Sequence, residues 1–171
     1  LEVSSHALSQ NRVDSIVFDS VGFTNLTLDH LDYNKSLDNY FNDKKKLFGL
    51  IKEGNNPLIL SDTDYGKAIC KDYPNSKKVS LKNSDADYFC NDVSINQDGI
   101  TGIIHSKDSS VQINSTLIGR YNLENILLAS SIALELGIQQ SSIEEGIKNC
   151  DYIDGRNENI SQPEWPDIIV D

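Results

Sequence analysis

The hydrophobic positions of the chain change period as it runs. Up to about residue 81, short solid apolar runs alternate with stretches whose apolar residues recur every three or four positions. Residues 1–3 read as the end of a buried strand, with Ser4 and Ser5 placed to cap a short helix or turn over 6–12. Ile16, Val17, Phe18, Val21 and Phe23 predict a strand within 13–23, covered on both faces. Leu37, Tyr40, Phe41, Leu47, Phe48 and Ile51 predict an amphipathic helix over 37–52, ended by Gly54-Asn55-Asn56-Pro57. Residues 57–60 read as a strand, 65–73 as a short helix and 78–81 as a further strand.

From residue 88 to 118 apolar and polar residues alternate, with turn chemistry at Gln97-Asp98-Gly99 and Lys107-Asp108-Ser109. That texture predicts antiparallel hairpins. A helix is predicted over 122–136, with Ile126, Leu127, Ala129, Ile132, Ala133 and Leu136 on its apolar side and Gly137 stopping it. Ser141-Ser142-Ile143-Glu144-Glu145 carries capping chemistry for another helix ending near Cys150. Gly155-Arg156 reads as a hinge, and residues 167–171 as a strand. Parallel-type strands alternating with helices, then hairpins, give an α/β expectation: a mostly parallel sheet flanked by helices, with an antiparallel hairpin region.

Composition narrows the function more than the fold. At 171 residues the chain can bury one sizeable core. A net charge of -11 leaves no basic stripe, so a nucleic-acid partner is not expected. No apolar run approaches the roughly 20 residues that span a bilayer, so no membrane role is expected either. Lys44-Lys45-Lys46 is the strongest basic run; in general such a run is a solvated helix face. Cys70, Cys90 and Cys150 are odd in number and far apart, which fits neither a zinc site nor a disulfide framework. They read as buried thiols in a reducing compartment.

Polar residues then single out three stretches. The opening packs Glu2, Ser4, Ser5, His6, Gln10 and Arg12 together. Glu2 is an adequate oxygen ligand for Mg²⁺, or a carboxylate stabilised by a helix start. Gln10 and Arg12 suit carboxylate, phosphate or peptide oxygens; alternatively Ser4 only caps and Arg12 only makes a surface ion pair. Residues 25–32 read as a polar loop at the carboxyl end of a strand, where α/β sheets place ligands; His30 lies in it, as a ligand or as an orienting group. Asn122 and Asn125 lie three apart at a helix start and share a face. They bind a ligand there, or one of them caps.

Five segments in order resemble one family. Glu2-Val3-Ser4-Ser5-His6-Ala7-Leu8-Ser9-Gln10-Asn11-Arg12 matches EVSSHAL-x-Q-x-R. Asn25-Leu26-Thr27-Leu28-Asp29-His30-Leu31-Asp32-Tyr33 approximates NLT-x-DHLDYH. Tyr40 and Lys44 match Y-x-x-x-K, Gly119 to Asn125 matches G-x-[FY]-N-x-x-N, and Gly155 to Glu158 matches GR-x-E. The chain resembles the Mur ligases, ATP-dependent amino-acid ligases of peptidoglycan synthesis, and most closely the MurE type, which adds the third stem-peptide residue. That resemblance implies the fold of the family's central domain. It implies ATP and Mg²⁺ as cofactors, with UDP-N-acetylmuramoyl-dipeptide and an amino acid, diaminopimelate or lysine, as substrates. It also implies an acyl phosphate intermediate.

By the same resemblance Glu2, His30 and Lys44 are the metal-site residues. Lys44 is expected to be carbamylated by CO₂ and framed by Tyr40 and Phe48, with Lys45 and Lys46 as surface charges. Ser4, Gln10 and Arg12 are expected at the muramoyl peptide. Asn122 and Asn125 are expected at the adenine, and Arg156 near the nucleotide. Leu28, Asn34 and Asn157 depart from the pattern, and Ser61-Asp62-Thr63-Asp64 is a loose version of N-x-D-D.

No G-x-x-x-x-G-K-[ST] phosphate loop occurs in the sequence, although the family carries one ahead of this region. The expectation is therefore a piece of a larger cytoplasmic, monomeric ligase. Residues 1–154 would be a partial ATP-binding domain, and 155–171 a hinge with the first strand of the next domain. By itself the piece is expected to be inactive. The alternatives are a folylpolyglutamate or cyanophycin synthetase-like ligase, or a non-catalytic nucleotide-binding module.

Overall fold

A computed structural model describes residues 1–25, 37–153, 158–159 and 169–170. The elements in order are helix α1 (Ser5–Ser9), strand β1 (Gly22–Phe23), helix α2 (Leu37–Lys45), a 3-10 helix (Lys46–Leu50), β2 (Leu58–Leu60), α3 (Asp64–Asp72) and β3 (Lys77–Ser80). Next come β4 (Tyr88–Asn96), β5 (Gly99–His105), β6 (Ser110–Ser115), α4 (Arg120–Glu135), α5 (Gln140–Lys148), β7 (Glu158–Asn159) and β8 (Ile169–Val170).

Six strands form one sheet in sequence order, β1 to β6. The pairs β1–β2, β2–β3 and β3–β4 are parallel, and β4–β5 and β5–β6 antiparallel. The α/β architecture expected from the texture is therefore present, with the hairpins where alternation sets in. The period-two rule splits the core at β2. Leu58 and Leu60 point into a cluster with Leu123, Leu127 and Ile104, under α4 and α5. Ile59 points the other way, into a cluster with Val21, Phe23, Phe48 and Ile69. Helices cover both faces, so β2 is solid Leu-Ile-Leu and fully buried. Each such side chain contributes about 1.5–3 kcal/mol of burial.

The carboxyl ends of β2 and β3 are tied by one side chain. Asp62 accepts from the backbone N–H of Leu81 at 2.7 Å and from the Ser80 hydroxyl. Gly66 lets α3 start hard against the end of β2: a Cβ there would lie 2.0 Å from the Leu60 carbonyl oxygen. The Tyr88 hydroxyl donates to Glu135 at 2.6 Å, joining β4 to the last turn of α4. Burial, and then the Glu135 carboxylate, push the Tyr88 phenol well above the ordinary tyrosine range.

Several expectations are corrected. Residues 1–3 form no strand, and Leu1 is 92% exposed; without a hydrogen-bonded neighbour, three extended residues have no ladder to join. The strand expected within 13–23 shrinks to Gly22–Phe23 and a single parallel bridge of Phe18 to Ile51. A turn in which the Ile16 N–H donates to the Val13 carbonyl takes the front of that run, leaving Val17 exposed. The helix expected over 37–52 passes into 3-10 form at Lys46. Gly49 weakens an α-helical ladder there, and the tighter winding turns Phe48 into the core.

The α4 face matches expectation in part: Leu127 is buried, and Ile126, Ile132 and Ala133 pack against the core. Ala129 and Leu136 are exposed, while Asn122, Ser130 and Ser131 are buried. Ser131 can be buried because its hydroxyl donates to the Leu127 carbonyl at 2.7 Å. Gln139, with no side-chain cap bond, precedes α5, so the serines at 141 and 142 lie inside the helix rather than capping it. Of the three cysteines only Cys90 is buried; Cys70 is partly exposed and Cys150 exposed. Residues 169–170 do form a strand, paired antiparallel with Glu158–Asn159.

Candidate functional site

Three separate stretches meet at the carboxyl ends of β1 and β2. Thr24 and Asn25 continue β1 outward, the residues before α1 cross in front of them, and the start of α4 closes the third side. Two lobes result. The first, about 370 Å³, is lined by Glu2, Phe23, Thr24, Lys44, Phe48 and Ser20 among others. The second, about 550 Å³, is lined by Glu2, Thr24, Asn25, Tyr121, Asn122 and Asn125 among others. Glu2 and Thr24 belong to both lobes, so Glu2 stands where they join.

Lys44 reaches the cleft from α2. Its Nζ donates to the Asn25 carbonyl at 3.3 Å and lies over the rings of Tyr40, at 5.2 Å, and Phe23, at 5.9 Å. Of the two rings expected to frame Lys44, Tyr40 lies beneath its Nζ; the other ring there is Phe23, while Phe48 is buried and lines the same lobe. The neighbouring lysines differ. Lys45 is not a free surface charge: its side chain is 22% exposed and meets Asp72 at 2.5 Å. Lys46 pairs with Asp43 at 2.6 Å and is 54% exposed.

The α4 side is shaped by Gly119. Its φ of +90° is a backbone conformation that L side chains rarely adopt, and a Cβ there would lie 2.9 Å from the Tyr121 ring. The ring therefore packs back over the glycine at the cleft wall. Asn122 is 3% exposed and donates from Nδ2 to the Ile118 carbonyl at 2.8 Å. Asn125, one turn on, is exposed. Together with Ile153, both asparagines also line an apolar groove of about 390 Å³ between α4 and α5. Unpaired N–H groups at the first turn of α4 favour anions. Glu124 opposes that preference but is engaged by Arg120 at 3.1 Å.

The other expected site residues do not all converge. Ser4 is the N-cap of α1, its Oγ accepting from the Ala7 N–H at 3.2 Å. Gln10 follows that helix as its C-cap and Arg12 lies in the next turn; both are exposed. Ser4, Gln10 and Arg12 line neither lobe, and Arg12 makes no ion pair among the described residues. His30 and Arg156 lie outside the described residues. Thr24, the Asn25 carbonyl and Tyr121 were not anticipated, although Asn25 opens one matched motif and Tyr121 sits inside another.

Among the described residues no three His, Cys, Asp or Glu side chains cluster in a metal-binding group. Glu2 lies at the junction of the lobes, and Glu124 lines the second lobe with it. That still fits Mg²⁺, which takes one or two protein carboxylates and keeps water and substrate phosphate oxygens for the rest.

A family model described as the Mur ligase middle domain matches residues 1–133. The chain belongs to the Mur ligase family. Among curated Mur ligases, it is 37% identical over 172 residues to a UDP-N-acetylmuramoyl-L-alanyl-D-glutamate--2,6-diaminopimelate ligase from Nostoc sp., covering 99% of this chain and 35% of that protein. It is 35% identical to the ligase of the same name from Fusobacterium nucleatum, covering 100% of this chain and 35% of that one. A solved structure carrying that ligase name superposes with a TM-score of 0.82 at 27% identity, covering 96% of this chain and 34% of that chain. The chain thus spans about a third of the length of these Mur ligases. A pseudomurein peptide ligase from Methanothermus fervidus shares the fold, with a TM-score of 0.77 at 17% identity.

Proposed function

We propose that this chain is the ATP-binding middle domain of a peptidoglycan ligase that joins an amino acid to UDP-N-acetylmuramoyl-L-Ala-D-Glu. The relatives' names favour 2,6-diaminopimelate over lysine as that amino acid. The observation that carries the reading is the convergence of Glu2, Lys44, Asn122 and Asn125 on one cleft from three distant stretches of chain. A carboxylate, an amine and two amides from unrelated elements have no shared structural task there. The cleft also lies at the strand ends where α/β sheets bind ligands.

In this reading ATP lies along the α4 start, with its base towards Asn122 and Asn125. Arg156 would stand near the nucleotide. Glu2, with His30 and a carbamylated Lys44, would hold Mg²⁺; carbamylation turns that amine into an anion of the right kind. The bound metal would offset triphosphate charge. A carboxylate of the dipeptide attacks the γ-phosphorus, and the bond from γ-phosphorus to the ADP oxygen breaks. The amino acid's neutral amine then attacks the acyl carbon, phosphate leaves, and the amide nitrogen gives up its proton. The residues of this chain serve by orientation and charge. Ser4, Gln10 and Arg12 would meet the muramoyl peptide from the rim. The setting is the cytoplasm, in a monomer; no described helix is long and apolar enough to cross a membrane.

The test is ligation of diaminopimelate to UDP-N-acetylmuramoyl-L-Ala-D-Glu by the complete ligase carrying this sequence, with phosphate release followed in parallel. Product that depends on ATP, the dipeptide and Glu2 supports the reading. ATP binding without ligation of any amino acid would favour a non-catalytic nucleotide-binding module, and ligation of a folate substrate a different branch of the family.

A further inference from the structure

The three consecutive lysines differ in role. Adjacent residues on an α-helix point about 100° apart, so identical side chains at 44, 45 and 46 must take three directions. Lys44 enters the cleft, Lys46 meets Asp43 in solvent, and Lys45 turns towards α3. There Lys45 Nζ is 2.5 Å from the Asp72 carboxylate and lies over the rings of Phe41, at 5.3 Å, and Tyr73, at 5.9 Å. Two further ring pairs knit the same seam: Phe41 with Tyr65 at 5.2 Å and Phe48 with Tyr73 at 5.1 Å.

The place of this clamp matters. Lys45 is the last residue of α2, and the chain winds as 3-10 helix from Lys46. A change from 3.6 to 3.0 residues per turn rotates every side chain beyond it, and such a junction is a natural hinge. Lys44 lies in the last turn before the junction, and a shift of the junction towards the amino end would turn it out of its present direction. Its own contacts, one carbonyl at 3.3 Å and two ring faces, are weak. An external tie at the next residue supplies what those contacts lack.

We infer that Lys45 and Asp72 are positioning residues for Lys44: their ion pair fastens the α2 junction to α3 and so sets the direction in which Lys44 enters the cleft. The functional half of this inference rests on the role given to Lys44 above.

The test uses the complete ligase with K45M, D72N, K45R and, as a control, K46M. Two readouts are needed. One is the side-chain NMR signal of Lys44, which the Tyr40 and Phe23 rings shift upfield. The other is steady-state turnover. K45M and D72N are expected to collapse the ring-induced shift of Lys44 and lower kcat about 10- to 100-fold, the range for groups supporting a metal site. KM for the muramoyl peptide should stay within about twofold, as expected when only the reacting geometry is lost. K45R, which can keep the carboxylate contact, should restore both readouts, and K46M should change neither. An unchanged Lys44 signal in D72N would overturn the inference. Loss of that signal with full turnover retained, in K44A as well, would uphold the clamp and overturn the role assigned to Lys44 instead.

Discussion

Lys44 Nζ donates to the backbone carbonyl of Asn25 at 3.3 Å, joining α2 to the end of β1 at the mouth of the cleft. The contact asks only for a cation, and an arginine could supply one. The proposed carbamate asks for a primary amine. K44R in the complete ligase should therefore lose more activity than the roughly 10- to 100-fold typical of supporting residues, while its thermal midpoint stays close to the parent. Ligation rate and melting curve check this together. Near-normal turnover in K44R would rule out a carbamate.

Asn122 and Asn125 share a helix face but not an environment. Asn122 is buried and bonded to the Ile118 carbonyl at 2.8 Å, whereas Asn125 is exposed in the cleft. N125A should raise the KM for ATP with no loss of stability. N122A should raise it and also cost about 0.5–1.5 kcal/mol, because a part-buried hydrogen bond to the Ile118 carbonyl is lost. Urea unfolding beside ATP titration separates the two. Equal effects of both variants on both measurements would contradict the assignment.

Glu144 closes the free edge of the sheet. Its carboxylate accepts from the Gln112 N–H of β6, and from Gln140, each at 2.9 Å. The Gln112 backbone bond, then the Gln140 amide, hold the Glu144 carboxyl below the ordinary glutamate range. A depressed folded value means that the folded state binds its proton later than the unfolded chain does. The contribution is present above the usual glutamate pKa, about 4.3, and is lost as pH falls through the lower folded value. E144A should be less stable than the parent at pH 7, with the gap closing below about pH 4. Paired urea midpoints from pH 7 to pH 3 would show it, and a constant gap would refute it.

The cysteines should separate by reactivity. Cys90 sits in the core, and burial pushes its thiol up to about 11. Cys150 is exposed beside the α4–α5 groove that Asn122 and Asn125 also line. Alkylation at pH 8 followed by mass spectrometry should modify Cys150 first and Cys90 only on unfolding, because the thiolate is the reacting form. ATP should slow labelling of Cys150 in the complete ligase. For Cys90 the sign runs the other way from Glu144: its raised value holds the folded state steady below the ordinary thiol pKa, and stability falls as pH climbs towards 11.

Periodicity determined the architecture of this protein. A strand was legible at 57–60 and antiparallel hairpins after residue 88, where β5 and β6 alternate buried and exposed positions; the burial on both faces expected within 13–23 is found instead at Leu58–Leu60. Those signals are local, because a strand's two faces are set by its own pleat. The family resemblance named Glu2, Lys44, Asn122 and Asn125 together with Ser4, Gln10 and Arg12; the first four line the two lobes and the other three do not.

Tertiary structure alone decided the rest. The short apolar run from Ile16 to Phe23 had the composition of a strand, but its length was set by the neighbours available to bond it. The buried face of α4 was legible only in part: Ile126, Leu127, Ile132 and Ala133 meet the core, but the sheet beneath also selects Leu123 and Leu128 in place of Ala129 and Leu136. The family resemblance set Lys44 apart from its two neighbours, but nothing in the sequence separated Lys45 from Lys46 or named a partner for any of the three. A carbonyl at Asn25, a carboxylate at Asp72 and a carboxylate at Asp43 separated them, and two of those three partners are far away along the chain.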